Sequence, residues 1–592
     1  MRATGKGKAA AALALAFALG ASGCTNTPPP PVVSSPAAQS EPPPEDTASQ
    51  IVVSLDAIVG GYNPHNLADS STITSALSQM LLPSVFRPDE EGVPTLDESL
   101  MTSAKVTSQE PFTVVYQIRP DASWSDGAPI AVEDFAYLAD AMKNQPGVVD
   151  PAGYRLISGI QPGEGGKRVE VTFTDPYPGW KTLFDNLLPA HLLKDAPGGW
   201  QGALADSFPA YGGPFSIKTL DNARGEIVLE RNERYWEKPA AVDRIVLRRS
   251  DQQGMAAALR SGHDQFALAS TDAAGRKLFE GLGDDIQLHT LARPRTVEVL
   301  LRPAGSVLAD DQVRAGVAAL IDRAGLIEEG TGGGPSARLP ADAHVLPPSA
   351  SDYAPTRPAA PGPRRADELL SAAGYIKEAG TWRRDGEPLS LVIASPGQRE
   401  PYAGIAKALG RQLMAAGVDV TIVNPPPREL FSELLAMPVS TDGAEGDDGQ
   451  ASPQNGAVAV DIAVVPQPAG GDPASDLASS FGCGPGWDDT SGDSGGSGNS
   501  ETSEETSITP ANPAAFCDES LQPRIEAALT GEVSTAPTLA SVEPELWREH
   551  VAIPLFQLSE TLAIGSGVLG VTPGPPLAGP FSSAVNWTRG NR

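Results

Sequence analysis

The segment from Tyr211 to Trp236 constrains the fold more than any other part of the sequence, because several turn and strand signals follow one another within it. The glycine pair before Pro214 favours a tight turn, since glycine takes positive φ cheaply and proline fixes its own φ. The stretch Glu226 to Arg231 alternates apolar and polar residues, which predicts a β-strand. The segment therefore predicts a turn, a strand and a further turn in succession.

Helical patterns alternate with strand patterns along the rest of the chain. Asp310 to Ile327 has an acidic N-terminus and one apolar face, which predicts an amphipathic helix. Tyr402 to Ala416 predicts another helix, and Gly417 leads from it into the alternating strand Val418 to Val423. Strands that alternate with helices predict α/β lobes built on a mostly parallel sheet.

The order of these segments resembles the extracytoplasmic solute-binding proteins of peptide and nickel importers, family 5. Beside the segment Tyr211 to Trp236, the matching stretches are YNPH at Tyr62 to His65, YQIRPDASWSDGAPIAVEDFAYLADAM at Tyr116 to Met142, LLPAHLL at Leu187 to Leu193 and ALRSGHDQFA at Ala258 to Ala267. The resemblance extends from about residue 51 to the end of the chain. It implies an α/β, two-lobed periplasmic-binding-protein-like fold of type II, with an extra subdomain on the first lobe.

The same resemblance implies the domain boundaries. The first lobe comprises residues 51–87, 191–295 and 558–592, the extra subdomain residues 88–190, and the second lobe residues 296–557. Hinges are expected near Leu291 to Val297 and near Ile553 to Gln557, where the chain passes between the lobes. Closure of the two lobes about these hinges would trap a ligand.

The N-terminus predicts export and a lipid anchor. Basic residues precede an apolar run from Ala9 to Ala21, which predicts a signal peptide over residues 1–23. The small residues before Cys24 resemble a bacterial lipobox, which implies acylation of Cys24 and attachment to the extracytoplasmic face of the cell membrane. Residues 24–50 are rich in proline and serine and predict an extended tether. A soluble secreted protein cut near Cys24 is the alternative.

The remaining cysteines and the acidic residues concentrate in one region. Cys483 and Cys517 predict a disulfide in an exported protein, with two unpaired thiols as the alternative. Residues 439–520 contain fifteen Asp or Glu and no Lys or Arg, which is half of the formal net charge of −30. This stretch predicts an acidic, Gly- and Ser-rich insertion in the second lobe, and its charge argues against a nucleic-acid partner.

The sequence contains neither a zinc-protease motif nor a phosphate-binding loop. HExxH and GxxxxGK[ST] are both absent, and the six histidines are scattered along the chain. The acidic insertion lacks the ligand spacing of an EF-hand. We therefore expect a binding protein with no catalytic residues, metal or cofactor.

The resemblance implies a ligand-binding cleft between the lobes. Tyr62 and Asn63 correspond to the place where the first strand opens on that cleft, and Asp472 corresponds to the acid that pairs with a peptide's amino terminus in oligopeptide binders. Aromatic faces stack on sugar rings and cover acyl groups, so exposed aromatic side chains are further candidates, with core packing as the alternative for each. These are Trp124, Trp180 and Trp487.

The chain departs from the peptide-binding pattern at two places. The tryptophan expected a few residues before Asp472 is absent, and Pro466 and Pro468 occupy that segment. Arg302 stands where the family commonly has asparagine. Together with the lipobox, the tether and the insertion, these changes are most similar to mycobacterial envelope lipoproteins of the family. That similarity implies a monomer that binds or gates a phosphatidylinositol mannoside intermediate and so regulates lipomannan and lipoarabinomannan synthesis. Mannosyltransferases would then be its protein partners. The alternative is a peptide-binding subunit of an ABC importer, whose partner is a permease.

Overall fold

The structure is a computed structural model that describes residues 49–304, 307–440, 459–484, 507–508 and 510–590. The predicted signal peptide, the acylation site Cys24, nearly all of the tether, most of the acidic insertion and Trp487 lie outside the described residues. The predictions made for these parts of the chain stay predictions.

The β-strands of the described residues are numbered in chain order. They are β1 (Gln50–Leu55), β2 (Phe86–Pro88), β3 (Pro94–Leu96), β4 (Met101–Gln109), β5 (Phe112–Ile118), β6 (Ile157–Gly163), β7 (Arg168–Phe173), β8 (Phe215–Asp221), β9 (Glu226–Arg231), β10 (Arg244–Arg249), β11 (Phe266–Ala269), β12 (Ile286–Leu301), β13 (Ile376–Glu378), β14 (Thr381–Arg384), β15 (Glu387–Pro388), β16 (Ser390–Ala394), β17 (Asp419–Val423), β18 (Val439–Ser440), β19 (Ile462–Pro468), β20 (Ser507–Ile508), β21 (Ala552–Gly565), β22 (Val568–Leu569) and β23 (Thr588–Arg589).

The α-helices are numbered in the same way. They are α1 (Thr72–Leu81), α2 (Val132–Asn144), α3 (Ala152–Arg155), α4 (Ala190–Leu193), α5 (Gly199–Gly202), α6 (Gln252–Ser261), α7 (Ala273–Glu280), α8 (Asp311–Ala319), α9 (Arg323–Thr331), α10 (Pro363–Ala372), α11 (Tyr402–Ala416), α12 (Pro427–Glu429), α13 (Pro473–Phe481), α14 (Gln522–Leu529) and α15 (Thr535–Glu549). No helix within the described ranges is long and apolar enough to cross a membrane.

The helix predicted over Asp310 to Ile327 is two helices, α8 and α9. Asp310 caps α8 by accepting hydrogen bonds from the backbone N–H groups of Gln312 and Val313. Asp322 then caps α9 by accepting from the N–H of Gly325. Asp322, a second capping carboxylate in the middle of the apolar pattern, accepts a hydrogen bond from a free N–H group of a new first turn. A second helix therefore begins there.

One ten-stranded sheet connects the two lobes, in the order β17-β16-β19-β12-β21-β11-β1-β10-β9-β8. β1 is parallel to β10 and β11, and β16 is parallel to β17 and β19. The other pairs are antiparallel. The predicted mostly parallel sheet is therefore wrong, and the sheet is mixed. The reason is that β12 carries the chain from the first lobe to the second, β21 brings it back, and β8 to β10 follow one another as hairpins.

The long strands β12 and β21 cross from one lobe to the other. Their pairing breaks between Ala292 and Thr296 and again between Val297 and Glu298. Both irregularities lie at or next to the segment predicted as the first hinge, and Phe556 of the second predicted hinge pairs with Val297. A register shift bends a strand locally, so this is where the common sheet can change direction between the lobes.

A smaller antiparallel sheet, β4-β5-β7-β6, lies within the region predicted as the extra subdomain. The helix α2 packs against it because Phe135, Leu138 and Met142 form one buried stripe. The ring of Phe135 lies 4.9 Å from that of Phe184. These contacts give the subdomain its own apolar centre.

The described residues belong to one compact unit, whose hydrophobic core consists of more than one buried cluster. Phe431 and Phe481 of the second lobe belong to the same buried cluster as the core of the first lobe. A second cluster, around Val299 and Leu409, fills the rest of the second lobe. The two lobes are therefore in contact, and a cavity remains between them.

Glu298 is a buried acidic residue in the strand β12. It lies beside the register shift of that strand. Burial raises the pKa of Glu298 to about 8, and the charge of Glu543 adds to this effect. The folded state therefore binds a proton more tightly than the unfolded state does. The free energy of unfolding falls as the pH rises from the unfolded pKa near 4.5 through the folded pKa.

We expect Glu298→Gln to increase the free energy of unfolding by about 1–4 kcal/mol near pH 9 and to change it little near pH 4, because glutamine does not titrate. Urea unfolding of both proteins at the two pH values measures the difference. The exposed Glu519→Gln is the matched control and should show no such pH dependence. An equal effect of Glu298→Gln at both pH values would contradict the prediction.

Candidate ligand-binding cavity

A cavity of about 1060 Å³ lies between the lobes. It is large enough for a ligand of several rings or residues. Its walls come from the first lobe, the subdomain, the second lobe and the C-terminal segment. The lining includes Pro64, His65, Asp150, Tyr154, Tyr177, Asp185, Leu291, Arg295, Leu346, Pro347, Pro466, Pro468, Asp472, Ser475, Asp476, Pro573, Pro576 and Leu577.

Three carboxyl groups meet on one wall of the cavity: Asp150 from the subdomain, and Asp472 and Asp476 from the second lobe. Asp476 is 5% exposed, and its Oδ1 has no hydrogen-bond partner among the described residues. Burial raises the pKa of Asp476 well above its ordinary value, and the charges of Asp150 and Asp472 raise it further. The pKa of Asp150 is raised by burial and by the charge of Asp185. Such a group can present both carboxylate acceptors and a carboxylic acid donor to a ligand.

Asp472 occupies the rim of this wall. It caps α13, since its Oδ2 accepts hydrogen bonds from the N–H of Ser475 at 3.0 Å and from the Ser475 hydroxyl at 2.8 Å. The oxygen of Ser475 lies 2.7 Å from the hydroxyl of Tyr177 in the subdomain. Asp472 is therefore both a helix cap and a cavity residue, and it is the one predicted ligand contact within the described part of the chain that lines the cavity.

Tyr62 and Asn63 do not reach the cavity, and the prediction that they contact the ligand is corrected. Both are fully buried. The Tyr62 hydroxyl donates to Asn222 Oδ1 at 2.7 Å, and Asn63 Oδ1 accepts from the N–H of His65 at 3.1 Å. Their polar atoms organise the turn after β1, while the adjacent Pro64 and His65 face the cavity.

Trp124 and Trp180 pack against other side chains of the subdomain. They do not line the cavity as the sequence predicted. Trp124 is fully buried and donates from Nε1 to Asp134 Oδ2 at 3.2 Å. The ring of Trp180 packs edge to face against Phe86 and Tyr116. Large aromatic surfaces gain most from burial among other rings, and the subdomain core supplies those rings.

Cys483 and Cys517 form a disulfide, and the two cysteines lie 34 residues apart in sequence. The rings of Phe481 and Phe516, which flank the disulfide, lie 6.2 Å apart. The disulfide thus joins the end of α13 to the segment that leads into α14. Within the described ranges, no cluster of His, Cys, Asp and Glu is arranged to hold a metal ion.

Polar contacts hold the lobes together around the cavity. Arg428 of the second lobe forms an ion pair with Asp69 of the first, with Nη2 and Oδ2 2.6 Å apart. Arg399 donates to the carbonyl oxygen of Ala68 at 2.9 Å. Together with the contact between Tyr177 and Ser475, these interactions join the lobes in the described part of the chain.

Sequence reasoning missed Asp150, Asp476 and Arg295 as cavity residues. Asp476 could have been found from Asp472, because residues four apart lie on the same face of a helix. Arg295 could have been noticed as a charge inside a predicted hinge strand. Nothing in the sequence pointed to Asp150, because it comes from a loop of the subdomain and meets the other carboxyl groups only through tertiary packing.

Arg295 of the strand β12 lines the same cavity as the three carboxyl groups. It forms no ion pair or hydrogen bond with the described residues. Burial and the charge of Arg293 lower the pKa of Arg295 to about 10, while Tyr402, Glu560 and Asp150 act in the opposite direction. The guanidinium remains charged at neutral pH. The cavity is therefore lined by a cation as well as by carboxyl groups.

Comparison with known proteins places the chain in a family. Residues 95–456 match the family described as bacterial extracellular solute-binding proteins, family 5 Middle, which is more than half of the sequence. The chain belongs to this family. Membership confirms the resemblance and the two-lobed fold predicted from the sequence, and binding is the general function of family 5 proteins.

The relatives of this family 5 protein differ in what their names say they bind. It is 33% identical to the probable monoacyl phosphatidylinositol tetramannoside-binding protein LpqW of Mycobacterium tuberculosis, over 96% of each chain. It is 26% identical to the oligopeptide-binding protein OppA of Mycobacterium tuberculosis, over 57% of this chain and 58% of that one. The oligopeptide-binding protein AppA of Bacillus subtilis, solved with a nonapeptide, superposes with a TM-score of 0.66 at 17% identity, over 92% of this chain and 99% of AppA.

Proposed function

We propose that this protein is a lipoprotein, anchored through Cys24 to the extracytoplasmic face of the cell membrane, that binds a mannosylated phosphatidylinositol in the cavity between its lobes. By binding or gating this intermediate it regulates lipomannan and lipoarabinomannan synthesis, with mannosyltransferases as its protein partners. The near full-length similarity to LpqW carries the proposal.

The chemistry of the cavity supports a glycolipid ligand. Carboxyl groups such as Asp150, Asp472 and Asp476 accept hydrogen bonds from sugar hydroxyls, and raised pKa values allow some of them to donate as well. Leu346, Leu577 and several prolines of the lining give the cavity an apolar part that suits an acyl chain. A volume of about 1060 Å³ suits a headgroup with several sugars better than a single small solute.

Peptide binding is the second candidate. Asp472, which corresponds to the acid that pairs with a peptide's amino terminus, does line the cavity, and OppA is among the relatives. In that case the protein would be the binding subunit of an ABC importer with a permease as partner.

The two candidates are separated by incubating the purified mature chain, without its acyl group, with a cell-envelope lipid extract and with a peptide pool. Native mass spectrometry then identifies what is retained. We expect a mannosylated phosphoinositide from the extract and little peptide. Asp476→Asn should reduce its retention severalfold, whereas the exposed Asp175→Asn should not. Retention of peptides alone would contradict the proposal and support the importer.

A further inference from the structure

Arg295 differs from the other deeply placed arginines described in the structure. Arg302 donates to the carbonyl oxygens of Pro513, Val460 and Leu435 at 2.9, 3.0 and 2.9 Å. Arg293 lies beside the carboxylate of Glu560 at 3.3 Å. The guanidinium of Arg295 has no such protein partner among the described residues and lines the cavity instead. Arg295 is half-buried, and a partly desolvated cation without a protein partner is complementary to an anion supplied from the cavity.

The same cavity is also lined by carboxyl groups. The charge of Asp150 acts on Arg295, and no ion pair joins the two side chains. Asp476 lines this cavity, and its Oδ1 has no hydrogen-bond partner within the distance and angle limits among the described residues although the residue is 5% exposed. The backbone N–H groups of Gly470 and Gly471 act on the same carboxyl group. A guanidinium donor and carboxyl acceptors in one cavity fit a ligand whose anionic group stands next to hydroxyl groups.

We propose that Arg295 holds the phosphodiester of the ligand while Asp150 and Asp476 hold the hydroxyls of the adjacent polyol ring. This inference rests on the proposed function and assigns the orientation of the headgroup within the cavity. The planar guanidinium can donate two parallel hydrogen bonds to a phosphate, which an ammonium group cannot do. The acyl chains would then lie toward Leu346 and Leu577, away from the charged walls.

The test uses water-soluble probes and isothermal titration calorimetry on the full mature chain. Glycerophosphoinositol supplies the anion and the polyol, inositol the polyol alone, glycerol 3-phosphate the anion alone, and trialanine a peptide zwitterion. We expect glycerophosphoinositol to bind most tightly. Arg295→Gln should weaken the affinity for glycerophosphoinositol by about 10- to 100-fold, because a hydrogen bond to a charged group is lost. It should leave the affinity for inositol unchanged. Asp476→Asn should weaken the binding of glycerophosphoinositol and the binding of inositol by a similar factor.

The exposed Arg411→Gln on the second lobe is the control for a change of net charge and should have no effect. If Arg295→Gln does not fold, Arg295→Lys carries the test. It keeps the charge but loses the bidentate geometry, and an affinity weakened about 3- to 10-fold is expected.

The outcomes separate this inference from the proposed function. Unchanged affinity in the Arg295 variants overturns the assignment, and so does equal binding of inositol and glycerophosphoinositol by the unmodified chain. If the Arg295 variants still retain a mannosylated phosphoinositide from the lipid extract as well as the unmodified chain does, the function stands and the assignment fails. If only trialanine binds, and Arg295→Gln weakens it, Arg295 is an anion site for a peptide carboxylate, and both the phosphodiester assignment and the glycolipid function fail.

Discussion

Replacing Arg293 with methionine is expected to lower the free energy of unfolding by about 3–5 kcal/mol, because it leaves the carboxylate of Glu560 buried without its cation. The two side chains are 7% and 4% exposed. Glu560 also accepts a hydrogen bond from the hydroxyl of Thr72 and lies near Asp56, whose pKa burial and the charge of Glu560 raise to about 6. Arg293 is the cation that forms an ion pair within this acidic group, and the charge of Glu560 also acts on Arg295.

Urea unfolding of the purified chain measures this effect. The double variant Arg293→Met with Glu560→Leu should recover most of the lost stability, since it removes both charges and fills the space with apolar groups. The exposed pair of Arg365 and Glu368 supplies the control, and Arg365→Ala should change stability by less than about 1 kcal/mol. A loss below 1 kcal/mol for Arg293→Met would show that Glu560 takes up a proton or gains water at little cost.

Removing the disulfide by replacing Cys483 and Cys517 with serine is expected to cost about 3–4 kcal/mol. The disulfide closes a loop across a separation of 34 residues, and its loss frees many more conformations in the unfolded chain than in the folded one. The folded segment keeps other contacts, since Asn512 Nδ2 donates to the carbonyl oxygens of Gly482 and Phe516 at 3.2 and 2.8 Å.

Urea unfolding of the double serine variant, compared with the oxidised chain, gives the size of the effect. The oxidised chain treated with a reductant should match the variant, because both lack the same covalent link. Equal stability of the oxidised and variant chains would contradict the prediction and show that the segment between the cysteines stays constrained in the unfolded state.

Much of the fold was predictable because its signals are local. The stretch Glu226 to Arg231 is the strand β9, and Tyr402 to Ala416 is the helix α11, as the periodicity of their apolar residues predicted. The apolar pattern over Asp310 to Ile327 predicted one helix, which was wrong. A second capping residue, Asp322, divides this segment into two helices. The direction of the strands could not be inferred locally, because it depends on how β12 and β21 join the lobes.

The binding site was less predictable because residues of one type serve different roles in different surroundings. Tyr62 was expected in the cleft, but its partner Asn222, 160 residues away in sequence, holds it in the core. The indole N–H of Trp124 likewise donates a hydrogen bond to Asp134 in the buried core. Asp472, which the family resemblance placed in the cleft, lines the cavity and also caps α13. Its contact with a ligand stays a prediction.

The sequence by itself determined the family, the alternation of strands and helices and the positions of the two cysteines, because each follows from patterns within short stretches of chain. Only the tertiary structure decided which charges share the cavity. Asp150, Arg295 and Asp476 come from the subdomain, the crossing strand and the second lobe, and packing alone brings them to one cavity. The physical reason is that burial and electrostatic environment depend on contacts between segments distant in sequence, which no local pattern encodes.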